Sequence, residues 1–86
     1  MLKLEDARIG VIGLGYVGLP LAVEFGKIYP TVGFDVNSSR IQELLAGKDS
    51  TLEVNPDELS QATRLSFSAQ ADGLEGCNVY IVTVHT

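Results

Sequence analysis

Three glycines, Gly13, Gly15 and Gly18, stand where a β-branched apolar run meets a helical pattern, and this junction constrains the fold more than any other feature. Arg8 to Ile12 reads Arg-Ile-Gly-Val-Ile, a short apolar run ending at a glycine, which predicts a buried strand. From Gly15 to Lys27 the apolar residues Val17, Leu21 and Phe25 recur at helical spacing, with Leu14 and Ile28 flanking them. Pro20 falls within the first turns of that helix, where a missing N–H is best tolerated.

The rest of the chain repeats the alternation. Thr31 to Asp35 reads as a second strand. Asn37 or Ser38 can cap the next helix, whose inner face is expected to carry Ile41, Leu44 and Leu45, with Gly47 as its stop. Lys48 to Asn55 is polar and loop-like. Pro56 to Thr63 begins Asn-Pro-Asp-Glu, a helix start with a cap, a proline and first-turn acids. Leu65-Ser66-Phe67 is a short third strand, Ala69 to Leu74 one or two helical turns, and Asn78 to Val84 a fourth strand. Strand–helix alternation implies parallel pairing through right-handed crossovers. The expected class is α/β, a Rossmann-like doubly wound parallel sheet with spatial order 3-2-1-4. No internal repeat or linker divides the chain, so residues 1–86 read as the first part of one such domain, incomplete without further strands.

The glycine spacing has a chemical reading in this context. Gly13 turns the chain off the strand, Gly15 leaves room for a pyrophosphate against the backbone, and Gly18 lets the helix lie close to the sheet. The helix N-terminus presents free N–H groups and about half a positive charge to an anion. The Gly-Lys-Ser/Thr of a P-loop is missing. Tyr16 and Val17 either line a cofactor pocket or pack on the helix. Asp35 closes the second strand, where an acid about 20 residues past the glycines can take the ribose hydroxyls of an adenosine. Such a carboxylate repels a 2′-phosphate, which favours NAD over NADP; its plainer role is to cap the next helix. Arg40 can reach the adenine or a phosphate, pair with Asp35, or lie on the surface.

Composition narrows the partners. Eleven acids against six bases give a net charge of −5, which argues against nucleic acid. The apolar runs are far shorter than the ~20 residues of a membrane span. Met1 to Asp6 holds two acids and no apolar stretch, unlike a signal peptide. The single cysteine, Cys77, fits a reducing, cytoplasmic setting.

Together these residues resemble the UDP-glucose/GDP-mannose dehydrogenase family of nucleotide-sugar dehydrogenases. The likeness runs through Ile9-Gly-Val-Ile-Gly-Leu-Gly-Tyr-Val-Gly-Leu-Pro-Leu-Ala22, through Gly33-Phe-Asp-Val-Asn-Ser-Ser-Arg-Ile41 and through Tyr80-Ile-Val-Thr-Val84. Gly47-Lys-Asp-Ser-Thr-Leu-Glu-Val54 resembles the branch that oxidises UDP-N-acetylhexosamines, with UDP-N-acetylgalactosamine and UDP-N-acetylglucosamine as the leading substrates. The resemblance implies an NAD-dependent oxidation of a UDP-sugar C6 alcohol to a carboxylate, for bacterial surface polysaccharide. It implies cofactor contacts at Gly13, Gly15, Tyr16, Val17, Gly18, Asp35 and Arg40, with Thr83 and Thr86 at the end of the fourth strand. The family's cysteine nucleophile belongs to a later domain, so this chain alone is expected to be inactive and Cys77 to be a small buried hydrophobe. Where the family reads Val-Pro-Thr, this chain reads Val84-His85-Thr86, which frees the loop. Two other readings stay open. One is the front of another NAD enzyme acting on hydroxyacids or hydroxyacyl groups. The other is a non-catalytic half-domain whose fourth-strand edge pairs with a second copy as a homo-oligomer.

Overall fold

A computed structural model describes residues 6–83. Four short strands form one parallel sheet: β1 (Ile9–Ile12), β2 (Thr31–Phe34), β3 (Leu65–Ser68) and β4 (Val79–Val82), in the order β3-β2-β1-β4. The expected doubly wound order is therefore present. Central β1 pairs Ile9 with Thr31 on one side and with Val79 on the other. Helices α1 (Gly18–Gly26) and α2 (Ser38–Leu45) make the crossovers between the first three strands, with a short α3 (Pro56–Gln61) before β3. A single 3-10 turn over Ala71–Leu74 crosses from β3 to β4.

The caps follow the sequence closely. Asn37 accepts hydrogen bonds from the N–H groups of Ser39 and Arg40, and Asn55 accepts from Glu58, with Pro56 in the first turn of α3. These side chains satisfy donors that the helix itself leaves free.

One apolar cluster joins alternate residues of β1 to the helices: Ile9, Val11, Leu14, Leu19, Ala22, Val23, Ile41, Leu44, Val54 and Ala62 are buried. The buried stripe of α1 is thus Leu19, Ala22 and Val23, not the Val17–Leu21–Phe25 series that the spacing suggested. Val17 and Ile28 are exposed, and Leu21 and Phe25 are only partly covered. Leu45, expected on the inner face of α2, is also exposed. The reason is tertiary. Both series have helical period, and the face that meets the sheet is set by where Gly18 and Gly26 permit close approach. A Cβ on Gly26 would lie 2.6 Å from Cβ of Leu65 on β3.

Gly18 makes the closest approach of all. A Cβ there would collide with the carbonyl oxygen of Gly13 and the hydroxyl of Thr83, so α1, the turn after β1 and the end of β4 meet at one point. Because one of these neighbours is backbone, it cannot swing aside. Gly18→Ala should therefore destabilise the chain by about 3 kcal/mol, the upper part of the overpacking range. Urea denaturation of the variant checks this; an unchanged midpoint would place the helix further from the sheet than the structure does.

Candidate nucleotide-binding turn

The turn begins one hydrogen bond beyond β1, where the Gly13 N–H donates to Phe34 O at 2.8 Å. Gly13 adopts φ of 96°, a left-handed conformation that glycine takes without strain. The chain then reverses into Leu14, whose side chain is fully buried. Helical residues start at Gly18 rather than at Gly15, although the Leu19 N–H already donates to Gly15 O at 3.2 Å. The first turn of the helix is thus wound from Gly15 onward in a looser form.

Two successive peptide planes of this turn are held by side chains from three other parts of the fold. In the Gly13–Leu14 plane, the Leu14 N–H donates to Asp35 Oδ2 at 3.0 Å, and the Thr83 hydroxyl donates to Gly13 O at 2.7 Å. In the Leu14–Gly15 plane, Arg40 Nε donates to Leu14 O at 2.7 Å. Asp35 uses its other oxygen to accept from the Asn37 N–H at 2.9 Å, so it holds the start of α2 as well.

From the Gly15 N–H of the second plane onward the donors are free. Among the described residues, no protein hydrogen bond engages the N–H groups of Gly15, Tyr16, Val17 or Gly18. No side chain caps α1, in contrast to the asparagine caps of α2 and α3, and its first turn holds no acid. A Cβ placed on Gly15 would meet nothing within 4 Å. Tyr16 and Val17 are exposed beside it rather than packed into the core. Open space, four unsatisfied donors and the positive end of a helix dipole together suit an anion.

Arg40 is neither on the surface nor paired with Asp35. It is 7% exposed, and its Nη1 lies 2.8 Å from Asp49 Oδ1 and 3.3 Å from Glu43 Oε2. Its Nη2 is buried without a partner among the described residues. Asp49, in the loop after α2, was not among the residues singled out from sequence. It sits in a stretch that looked like plain polar loop. Its carboxylate is fully buried and also accepts from the N–H groups of Thr51, Glu53 and Val54 and from the Thr51 hydroxyl. Burial alone would push this carboxyl up. The bonds from the Thr51 hydroxyl, Arg40 and the Val54 and Thr51 N–H groups outweigh it and hold it at about 2, against an ordinary 3.8.

Thr83, expected as a cofactor contact at the end of the fourth strand, donates its hydroxyl chiefly to Gly13 O at 2.7 Å, with Ile12 O at 3.2 Å. Thr86 and His85 lie outside the described residues. Cys77 is half-buried and precedes β4; burial raises its thiol pKa, against a smaller opposing pull from Arg8, so it is not an activated nucleophile. It borders a shallow cleft of about 180 Å³ with Arg8 and Arg64 at the other end of the strands, away from the turn. Among the described residues no helix is long and apolar enough to cross a membrane.

The fold and turn define a dinucleotide-binding domain of the Rossmann class. Residues 7–86 match the model of the "UDP-glucose/GDP-mannose dehydrogenase family, NAD binding domain", and the chain belongs to that family. It is 58% identical over 83 residues to a UDP-N-acetyl-D-glucosamine 6-dehydrogenase of Pseudomonas aeruginosa, covering 96% of this chain and 20% of that protein. It is 51% identical over 86 residues to the protein of the same name from Salmonella typhi, covering 100% of this chain and 20% of the relative. Among solved structures, a GDP-mannose dehydrogenase ternary complex from Pseudomonas aeruginosa superposes with TM-score 0.82 at 29% identity, over 92% of this chain and 20% of the other. The chain therefore spans about a fifth of the length of the relatives it matches. The cofactor of this family's domain is NAD, and the free donors of the turn fit its pyrophosphate.

The depressed value of Asp49 gives a pH prediction. The folded-state pKa lies below the unfolded one, so its stabilisation is complete above the unfolded value and is lost as pH falls towards the folded one. The gap in unfolding free energy between wild type and Asp49→Asn should narrow by about 2 kcal/mol from about pH 5 to about pH 2. Urea unfolding across that range measures it, and a constant gap would contradict the assignment.

Proposed function

We propose that this chain is the NAD-binding front of a UDP-N-acetylhexosamine 6-dehydrogenase that acts in the cytoplasm to supply bacterial surface polysaccharide. The observation that carries the reading is the run of free N–H groups from Gly15 to Gly18 with the Asp35 carboxylate on the neighbouring strand end. The names of the relatives favour UDP-N-acetylglucosamine among the hexosamines over UDP-N-acetylgalactosamine.

On this reading the N–H groups of Gly15, Tyr16, Val17 and Gly18 bind the pyrophosphate. Gly13 supplies the bend. Asp35 keeps lone pairs on both oxygens after its two backbone bonds, and these accept the adenosine ribose hydroxyls. Arg40 acts from behind the turn, through its Nε bond to Leu14 O, with Nη2 buried without a partner among the described residues. The Thr83 hydroxyl is left with acceptor capacity, and Thr86 is placed at the cofactor by family resemblance alone. Bound NAD would supply the hydride acceptor, and the alcohol-to-carboxylate oxidation of the sugar, a four-electron change, would consume two NAD in succession. The residues that hold the sugar and form the covalent intermediate belong to the remainder of the enzyme.

A second reading, an edge-pairing half-domain, draws on the outer position of β4, whose far side leaves backbone groups open to another strand. Solution mass with and without NAD separates the two. A folded monomer in the absence of NAD counts against edge pairing as the function, and a stable homo-oligomer counts for it.

Asp35→Ala should weaken NAD binding by about 1–3 kcal/mol, the loss of a charged acceptor. Gly15→Val should abolish binding while the fold survives, because a side chain there meets solvent rather than protein. Calorimetric titration tests both variants; unaltered affinity in the pair would remove NAD from this turn. In the full-length protein, NAD reduction dependent on UDP-N-acetylglucosamine tests the substrate.

A further inference from the structure

We infer that Asp49 is a positioning residue for the dinucleotide turn, aiming the Gly15 N–H through Arg40. The inference rests on the reading of the turn as the NAD site. Its starting point is covalent: Leu14 C=O and Gly15 N–H belong to one planar trans peptide and point in opposite directions. Whatever fixes the carbonyl fixes the N–H. The carbonyl is held by Arg40 Nε at 2.7 Å. The guanidinium is a rigid planar fork, so the direction of Nε depends on where Nη1 is seated. Nη1 is seated by Asp49 Oδ1 at 2.8 Å, with Glu43 the other charged neighbour.

Asp49 is in turn fixed by its own loop. Oδ2 accepts from the N–H groups of Glu53 and Val54, both at 3.0 Å, and Oδ1 accepts from Thr51. One oxygen closes the loop; the other also reaches across to Arg40. The path therefore runs from the loop between α2 and α3, through two side chains, to the peptide whose N–H heads the anion-binding run. The opposite peptide is set differently, by Asp35 and Thr83, and needs no help from Asp49. Leu14 is thus gripped from two independent directions, and only one passes through the loop.

The test uses Asp49→Asn on the full chain, with two readouts. The first is the Gly15 amide resonance without ligand, and the second is NAD affinity by calorimetry. In a folded Asp49→Asn the Gly15 resonance should move and NAD should bind about tenfold more weakly, the size of one lost, well-aimed hydrogen bond. Loop closure alone would leave the Gly15 amide where it was. Arg40→Lys, which keeps the charge but cannot hold Leu14 and Asp49 together, should shift the same resonance and serves if Asp49→Asn does not fold. An unmoved Gly15 amide in a folded variant overturns the inference, whatever happens to affinity. If the amide moves and NAD affinity stays at the wild-type value, the positioning role also falls. Failure of the NAD reading itself shows separately, as undiminished affinity in Asp35→Ala and Gly15→Val.

Discussion

The main chain of Leu14 is the point on which the site depends. Its side chain is fully buried in the core, while its N–H and C=O are each taken by a charged side chain from elsewhere in the chain. Charge-assisted hydrogen bonds of this kind are shorter and stronger than neutral ones, and here they are spent on backbone direction. An anion-binding turn works only if its N–H groups converge before the anion arrives. Otherwise the ordering entropy of several residues opposes binding. Core packing on one side of Leu14 and two opposed side chains on the other remove that freedom in advance.

The sheet order makes this arrangement reachable. Because β4 lies beside β1 and not beyond β3, Thr83 ends next to Gly13, and its hydroxyl satisfies a carbonyl that the turn would otherwise leave exposed. Gly18 completes the contact by lacking the atom that would separate helix from turn. The helix dipole is thereby brought up to the carboxyl ends of the strands, at the place where the strand order reverses. Asp35 reaches the same place from the end of β2. It serves the scaffold and is available to a ligand at once, since each carboxylate oxygen can accept more than one hydrogen bond. The cap weighed for Asp35 from sequence falls to Asn37 instead; Asp35 accepts from the Asn37 N–H just ahead of the helix and so seats the cap rather than being it.

The alternation of strands and helices, the glycine turn and both asparagine caps were legible because each is written within a few adjacent residues. Asn37 and Asn55 lie directly before the helices they cap. The face of α1 was not legible, since Val17, Leu21 and Phe25 share the helical period of the true stripe and only contact with Leu65 and Thr83 decides between them. Leu45 failed for the same reason at the end of α2. Arg40 was recognised as a residue near the site, yet its burial and its bond to Leu14 join positions distant in sequence. Asp49 carried no signal at all: an aspartate in a polar loop ordinarily faces water.

By itself, the sequence determined the class of sheet, the glycine turn that leaves its N–H groups free and the acid at the neighbouring strand end, because glycine geometry, capping chemistry and strand–helix order are local properties. Only the tertiary structure decided which helix face is buried, and that Arg40 and Asp49 stand behind the turn. Those outcomes depend on which distant groups come within hydrogen-bond distance once the strands have paired, and no local pattern encodes such a distance.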